Sequence, residues 1–136
     1  MGCRYLDLVD FLLIAEAVTG VPAERLAHND RLGLADSALN APAAAFEGNE
    51  AYPDFSRKAA VLCRHLIKNH PLPDGNKRCA FLCLLEFVAR NDRQWTHAPD
   101  DPAETDEIIR GVAGDTVDED ELEAWIKERI GEVTDG

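Results

Sequence analysis

Nothing in this 136-residue chain is apolar for long enough to cross a membrane: no hydrophobic run reaches the roughly 18 residues a spanning helix needs. The opening Met1-Gly2-Cys3-Arg4-Tyr5 lacks the basic-then-apolar order of a signal peptide, and Leu6 stands where a myristoylation motif wants Ser or Thr. A cytoplasmic protein is expected. Cysteine is sparse. Cys3, Cys63, Cys79 and Cys83 form no CxxC pair, and only His65 and His70 are near enough in sequence to join Cys79 and Cys83 on a zinc ion. Buried, reduced thiols are the expectation. Positive charge is also short: 14 basic residues face 26 acidic ones, a net charge of −12, which argues against a general nucleic-acid binder. Repeats, low-complexity runs and linker-like stretches are missing too, so residues 1–136 read as a single domain. No segment alternates convincingly as a strand.

What is present is helical. Tyr5 to Thr19 is rich in Leu, Val, Ile and Ala and ends on Gly20, a C-terminal stop. Pro22 to Leu26 and Gly33 to Asn40 read as short helices. The looser Ala41 to Asp54, with Pro42, Gly48, Asn49 and Pro53, reads as a mobile flap, with any β element a small hairpin near Glu47 to Tyr52. From Phe55, apolar residues recur at spacings of three and four, opposite a basic face of Arg57, Lys58, Arg64 and Lys68. Pro71 and Pro73 stop that helix. Cys79 to Ala89 is apolar almost all round, which predicts a helix at the centre of the fold. Thr105 to Val112 predicts another. The last has Asp118 and Glu121 for a capping box, Val117 to staple onto Leu122, and a buried stripe of Leu122, Trp125, Ile126 and Ile130.

Charge is unevenly placed. Residues 55–78 carry six basic residues against Asp74 alone, whereas residues 99–136 carry fourteen acids against three bases. The acidic end reads as a solvated face.

The stretch His70 to Arg78, HPLPDGNKR, collects the polar chemistry. It joins the end of one helix to the start of a buried one near Asn76. A helix start offers free N–H groups and the positive end of a dipole to an anion. Gly75 lets backbone approach a phosphate closely. Lys77 and Arg78 add cations, and Asn76 either donates to phosphate oxygens or holds the loop's own shape. Asp74 suits a phosphate neighbour only through a cation; Mg²⁺ typically takes one or two protein carboxylates with phosphate oxygens. His70 is placed to take a proton from an attacking hydroxyl. Leu72, apolar among polar neighbours, would pin the loop to the core. Taken singly, His-Pro, Asp-Gly and Gly-Asn are ordinary turn dipeptides; nine residues holding all of them favour group transfer from a nucleotide to a hydroxyl.

HPLPDGNKR resembles the signature of the Fic/Doc family, His-x-Phe-x-(Asp or Glu/Asn)-(Gly or Ala)-Asn-(Gly or Lys)-Arg. Lys77 after the asparagine resembles the Doc, or death-on-curing, branch. Fic adenylyltransferases have glycine there and a second arginine where this chain has Phe81. Gly33 to Pro42, Tyr52-Pro53 and Asp118 to Ile126 are also similar to Doc sequences, and the likeness runs from about Leu6 to Ile130.

The resemblance implies an all-α Fic fold: six or seven helices around a central buried helix, with a small flap or hairpin. It implies a toxin of a toxin–antitoxin system that moves the γ-phosphate of ATP, with Mg²⁺, to a threonine of elongation factor Tu and arrests translation. Carried onto this chain, His70 is the general base and Asp74 the magnesium ligand. Gly75, Asn76, Lys77 and Arg78 hold the nucleotide phosphates, and Ala41 to Asp54 aligns the target. One departure stands out: the family's phenylalanine is Leu72 here, which fills an apolar pocket with less area. The inhibitory Ser/Thr-x-x-x-Glu-Gly/Asn motif of many Fic proteins is not matched; Ala43 to Gly48 ends in Glu-Gly but begins with alanine. A separate Phd-like antitoxin, folding as a helix onto apolar residues of the first helices, is implied instead. Two other readings keep the fold: nucleotidyl transfer (AMPylation), against which Lys77 and Phe81 stand, and a catalytically weak interaction module.

Overall fold

A computed structural model describes residues 2–95 and 102–132. Met1 and the acids Asp100, Asp101 and Asp135 counted above lie outside them. Among the described residues seven α-helices dominate: α1 Leu8–Thr19, α2 Ala23–Leu26, α3 Leu32–Asn40, α4 Phe55–Asn69, α5 Asn76–Arg90, α6 Pro102–Ala113 and α7 Glu119–Arg129. A 3₁₀ turn, Ala41–Ala43, follows α3. The fold is all-α, as the sequence predicts, with minor β hairpins.

The helix ends follow from local chemistry. α1 starts later than its apolar run, because Asp7 caps it and exchanges a reciprocal pair of bonds with Asp10. Gly20 ends it in the left-handed conformation, φ 76°. At α7 the expected capping box is present: the Glu121 N–H donates to Asp118 at 2.8 Å and the Asp118 N–H to Glu121 at 3.3 Å. Val117 packs closely over Gly111 of α6, where a larger side chain would collide with it.

The flap segment carries the expected hairpin slightly earlier than predicted. β1 Ala45–Phe46 pairs antiparallel with β2 Asn49–Glu50. Glu47 and Gly48 both have positive φ, as a two-residue hairpin turn demands. A second antiparallel pair, β3 Arg93–Trp95 with β4 Ile130–Glu132, corrects the expectation that any β element would lie near the flap. Three-residue strands are too short to show an alternating pattern, and their partners lie far apart in sequence. Ile130 therefore belongs to a strand and not to the stripe of α7.

The core also differs from expectation in its centre. α4 packs against α3, α5, α6 and α7. Ala59, Ala60 and Cys63 are fully buried on it, small enough to let neighbours close in on several sides. α5 is buried through Cys79, Ala80, Cys83, Leu84, Phe87 and Val88, yet Leu82 and Glu86 keep one side open to solvent. α4, and not α5, is thus the most enclosed helix.

The basic face of α4 explains why. Arg57 reaches Glu119 and Glu123, both at 2.9 Å, and Asp120 of α7. Lys68 bonds Asp115 at 2.7 Å. Lys58 is only 3% exposed, and its ammonium holds Glu50 of β2 at 3.0 Å and the Pro42 carbonyl at 3.3 Å. Ion pairs cover what pattern alone reads as a solvent face. Part of the acidic C-terminal region is accordingly a docking surface for Arg57 and not a solvated one.

Cys63, Cys79 and Cys83 are buried and Cys3 half-buried. Burial pushes the Cys63 thiol up to about 12, which keeps it protonated and unreactive. No helix of the described residues is long and apolar enough to cross a membrane.

Candidate active site

The signature stretch is the turn between α4 and α5, and two left-handed residues bracket it. His70 ends α4 at φ 52°, ψ 55°, and Gly75 precedes α5 at φ 78°, ψ 15°. Between them the chain reverses over Pro71 to Asp74. Glycine is required at the second bend for two reasons: its φ is positive, and a Cβ there would sit 2.9 Å from Val18 Cγ1 of α1.

Leu72 and Asn76 give the loop its shape. Leu72 is 3% exposed, embedded in the core. The Asn76 side chain is 7% exposed; its Oδ1 accepts from the Leu72 N–H and its Nδ2 donates to the Leu72 carbonyl, both at 2.8 Å. Of the two tasks the sequence allows Asn76, the geometry places its carboxamide on the loop, leaving its backbone N–H at the helix start.

No side chain caps α5, so the N–H groups of Asn76, Lys77 and Arg78 have no acceptor within the helix, whose first bond runs from the Cys79 N–H to the Gly75 carbonyl. Lys77 and Arg78 are exposed and make no ion pair with the described residues. The Asp74 carboxylate is likewise exposed and unpaired among them. His70 Nδ1 lies 3.2 Å from the Ile67 carbonyl. A carbonyl only accepts, so Nδ1 carries the proton of this bond, and in the neutral ring Nε2 is then the nitrogen with the lone pair.

These groups share one cavity of about 880 Å³, lined by His70, Asp74, Gly75, Asn76, Lys77 and Arg78. A volume of this size suits a nucleotide-sized ligand. The sequence did not reveal the remaining walls. Val18, Val21 and Leu26 of the α1–α2 region form one side, and Thr105, Asp106 and Ile109 of α6 the other. Phe81, one turn into α5, lines the cavity and meets Trp95 edge-to-face with ring centroids 5.8 Å apart. An aromatic ring and not a second cation therefore lines the cavity at this position of α5. No residue of the β1–β2 hairpin lines the cavity.

The geometry accommodates a metal–nucleotide complex in one respect that can be checked on its donors. The Asp74 carboxylate beside an amide-rich helix start is a donor set of the kind expected when phosphate oxygens supply the other ligands; the cavity's other carboxylate, Asp106, pairs with Arg110 at 2.9 Å. No group of three or more His, Cys, Asp or Glu among the described residues forms a cage for a metal on protein ligands alone.

A family model described as the Fic/DOC family matches residues 5–88, which span the helices and loop that build this cavity. The chain belongs to the Fic/DOC family. It is also 37% identical over 121 residues to a protein of Mycolicibacterium smegmatis (strain ATCC 700084 / mc(2)155) named Toxin Doc, covering 89% of each chain. The Fic/DOC assignment and the all-α architecture agree with each other, and the signature loop occupies the turn between the family domain's two packed helices, α4 and α5.

Proposed function

We propose that this Fic/DOC protein is the toxin of a toxin–antitoxin system and a transferase that moves the γ-phosphate of ATP to a hydroxyl of a translation factor, with elongation factor Tu the favoured target. The observation that carries the reading is the shared cavity, lined by a histidine whose Nδ1 lies against the Ile67 carbonyl, by the Asp74 carboxylate, and by a helix start without a side-chain cap beside two cations that make no ion pair among the described residues. The relative named Toxin Doc supports the toxin role.

In this reading the helix start of α5, with Lys77 and Arg78, binds the phosphates and draws off their charge. Asp74 would hold Mg²⁺ against them, and the metal, when bound, neutralises charge on the leaving phosphate oxygens. His70 Nε2 accepts the proton of the target hydroxyl as its oxygen bonds to the γ-phosphorus. The bond from that phosphorus to the β-bridging oxygen breaks, and ADP leaves. Asn76 and Leu72 fix the loop so that the distance from base to phosphate is set before the target arrives. The β1–β2 hairpin, tied at its base by Lys58, would align the target chain. Phe81 favours phosphoryl over nucleotidyl transfer, because the cavity offers one cation cluster beside the helix start and an apolar ring beyond it.

A Phd-like antitoxin is the partner this reading calls for. Val9 and Leu13, one turn apart on α1 and 63% and 57% exposed, are apolar residues of the first helix open to it.

Mass spectrometry of lysate proteins after brief induction tests the function. Phosphate on a threonine of a translation factor is expected with the wild type and not with His70→Ala. An adenylyl group on the target, or growth arrest equal in both, would replace this reading.

A further inference from the structure

The base of the proposed reaction sits at a strained point of the backbone. His70 is a non-glycine residue at φ 52°, and it precedes a proline, which restricts its conformation further. Such a conformation is unfavourable and persists only where the surroundings over-determine it. Here the surroundings lie outside the signature, in the turn between α2 and α3.

Arg31 donates from Nε to the His70 carbonyl at 2.8 Å and from Nη2 to the Asn69 carbonyl at 3.4 Å. Those are the last carbonyls of α4, at the negative end of its dipole, where a guanidinium is favoured. Asn29 donates from Nδ2 to the Pro71 carbonyl at 3.1 Å, while its Oδ1 accepts from the Arg31 N–H at 2.8 Å. Asn69 answers by donating to the Leu34 carbonyl at 3.0 Å. Three consecutive backbone carbonyls, of residues 69, 70 and 71, are thus held by two side chains, and that of Asn29 also holds the Arg31 backbone.

We infer that Asn29 and Arg31 are positioning residues for His70: their clasp holds the left-handed turn that lays the imidazole over the Ile67 carbonyl and leaves Nε2 facing the cavity. Without the clasp the turn relaxes, the Nδ1 bond to Ile67 loosens, and the ring exchanges between tautomers and orientations. The phosphate cradle belongs to α5 and is clamped separately by Asn76 on Leu72, so nucleotide binding does not depend on the clasp. This inference rests on His70 being the base proposed above.

Two readouts test it on the full-length protein. The first is the steady-state rate of phosphate transfer from ATP to the protein target. Arg31→Ala should lower kcat about tenfold or more with KM for ATP unchanged within twofold, because a base displaced by a fraction of an ångström slows the chemical step and not the binding. Asn29→Ala should lower kcat less, and Arg31→Lys, which keeps the charge but loses the forked donation, should restore part of the loss. Arg4→Ala is the control: Arg4 also bonds a helix-end carbonyl, that of Arg90, but far from the cavity, and its kcat should stay at the wild-type level. The second readout is the ¹⁵N shifts of the His70 ring. The wild type should report the Nδ1–H tautomer, and Arg31→Ala a mixture of the two.

Unchanged kcat and unchanged ring shifts in folded Arg31→Ala and Asn29→Ala would overturn the inference. So would parallel losses in kcat and KM with the tautomer intact, the mark of a purely structural role. If Arg31→Ala does not fold, Arg31→Lys and Asn29→Ala decide by the same criteria. If the wild type transfers no phosphate, the function proposed above fails, and the ring shifts still decide whether the clasp sets the imidazole.

Discussion

Asn76 closes the signature loop on Leu72 from both sides, accepting from its N–H and donating to its carbonyl at 2.8 Å each. The pair is buried, so both groups of the Leu72 backbone rely on this one side chain. Asn76→Ala should destabilise the fold by about 2–4 kcal/mol, since it leaves a buried donor and a buried acceptor unsatisfied. Denaturant unfolding measures that. Asn76→Asp keeps the acceptor and sets a second carboxylate oxygen against the Leu72 carbonyl, so it should be no more stable than the alanine variant.

Gly75 makes a separate prediction. Gly75→Ala combines a positive φ of 78° with a Cβ 2.9 Å from Val18 Cγ1. A loss of about 1–3 kcal/mol is expected. The shift also moves the helix start relative to α1, so ATP affinity, measured by calorimetry, should fall more than tenfold. Unaltered affinity would remove the α5 helix start from the phosphate site.

Asp10 ties α1 to α5. Its carboxylate takes the Arg90 guanidinium at 2.7 and 3.2 Å and completes the cap with Asp7. The Arg90 bond, foremost, holds the Asp10 carboxyl below its ordinary value of 3.8. A carboxyl depressed in the folded state contributes stability above its ordinary value and loses it as pH falls through the folded one. Asp10→Ala should therefore cost about 1–2 kcal/mol near neutral pH, and the gap from wild type should close below about pH 4. Thermal unfolding across that range is the measurement.

Arg57 predicts a salt effect. Its guanidinium collects Glu119, Asp120 and Glu123. Removing it leaves like charges facing one another on α7. Arg57→Ala should destabilise by about 1–2 kcal/mol at low ionic strength and by visibly less in about 1 M salt, where a Debye length of about 3 Å screens both the lost attraction and the new repulsion. Urea titrations at the two salt levels distinguish this from a packing loss, which salt would not relieve.

These pairs also mark what sequence could and could not convey. Apolar spacing, Gly20, Pro22 and the Asp118–Glu121 box place the helices correctly because each acts within a turn or two of chain. His70, Asp74, Gly75, Asn76, Lys77 and Arg78 are also neighbours in sequence, and they line one cavity. What escaped is non-local. Lys58 and Arg57 read as solvent-facing until their partners at Glu50 and on α7 are seen. The β3–β4 pair joins residues 93–95 to 130–132 and has too little length to announce itself. The α6 wall of the cavity and the Asn29–Arg31 clasp carry no pattern that points to a site. The polar cluster Asn29-Asp30-Arg31 after α2 was the one signal, and it looks like any turn.

The most direct test of the central claim is transfer of label from ATP to purified elongation factor Tu with the full chain and Mg²⁺. Label at the γ position should appear on the factor and label at the α position should not, and His70→Ala should abolish the signal. Transfer of the α label, or an undiminished γ signal from His70→Ala, would contradict the account.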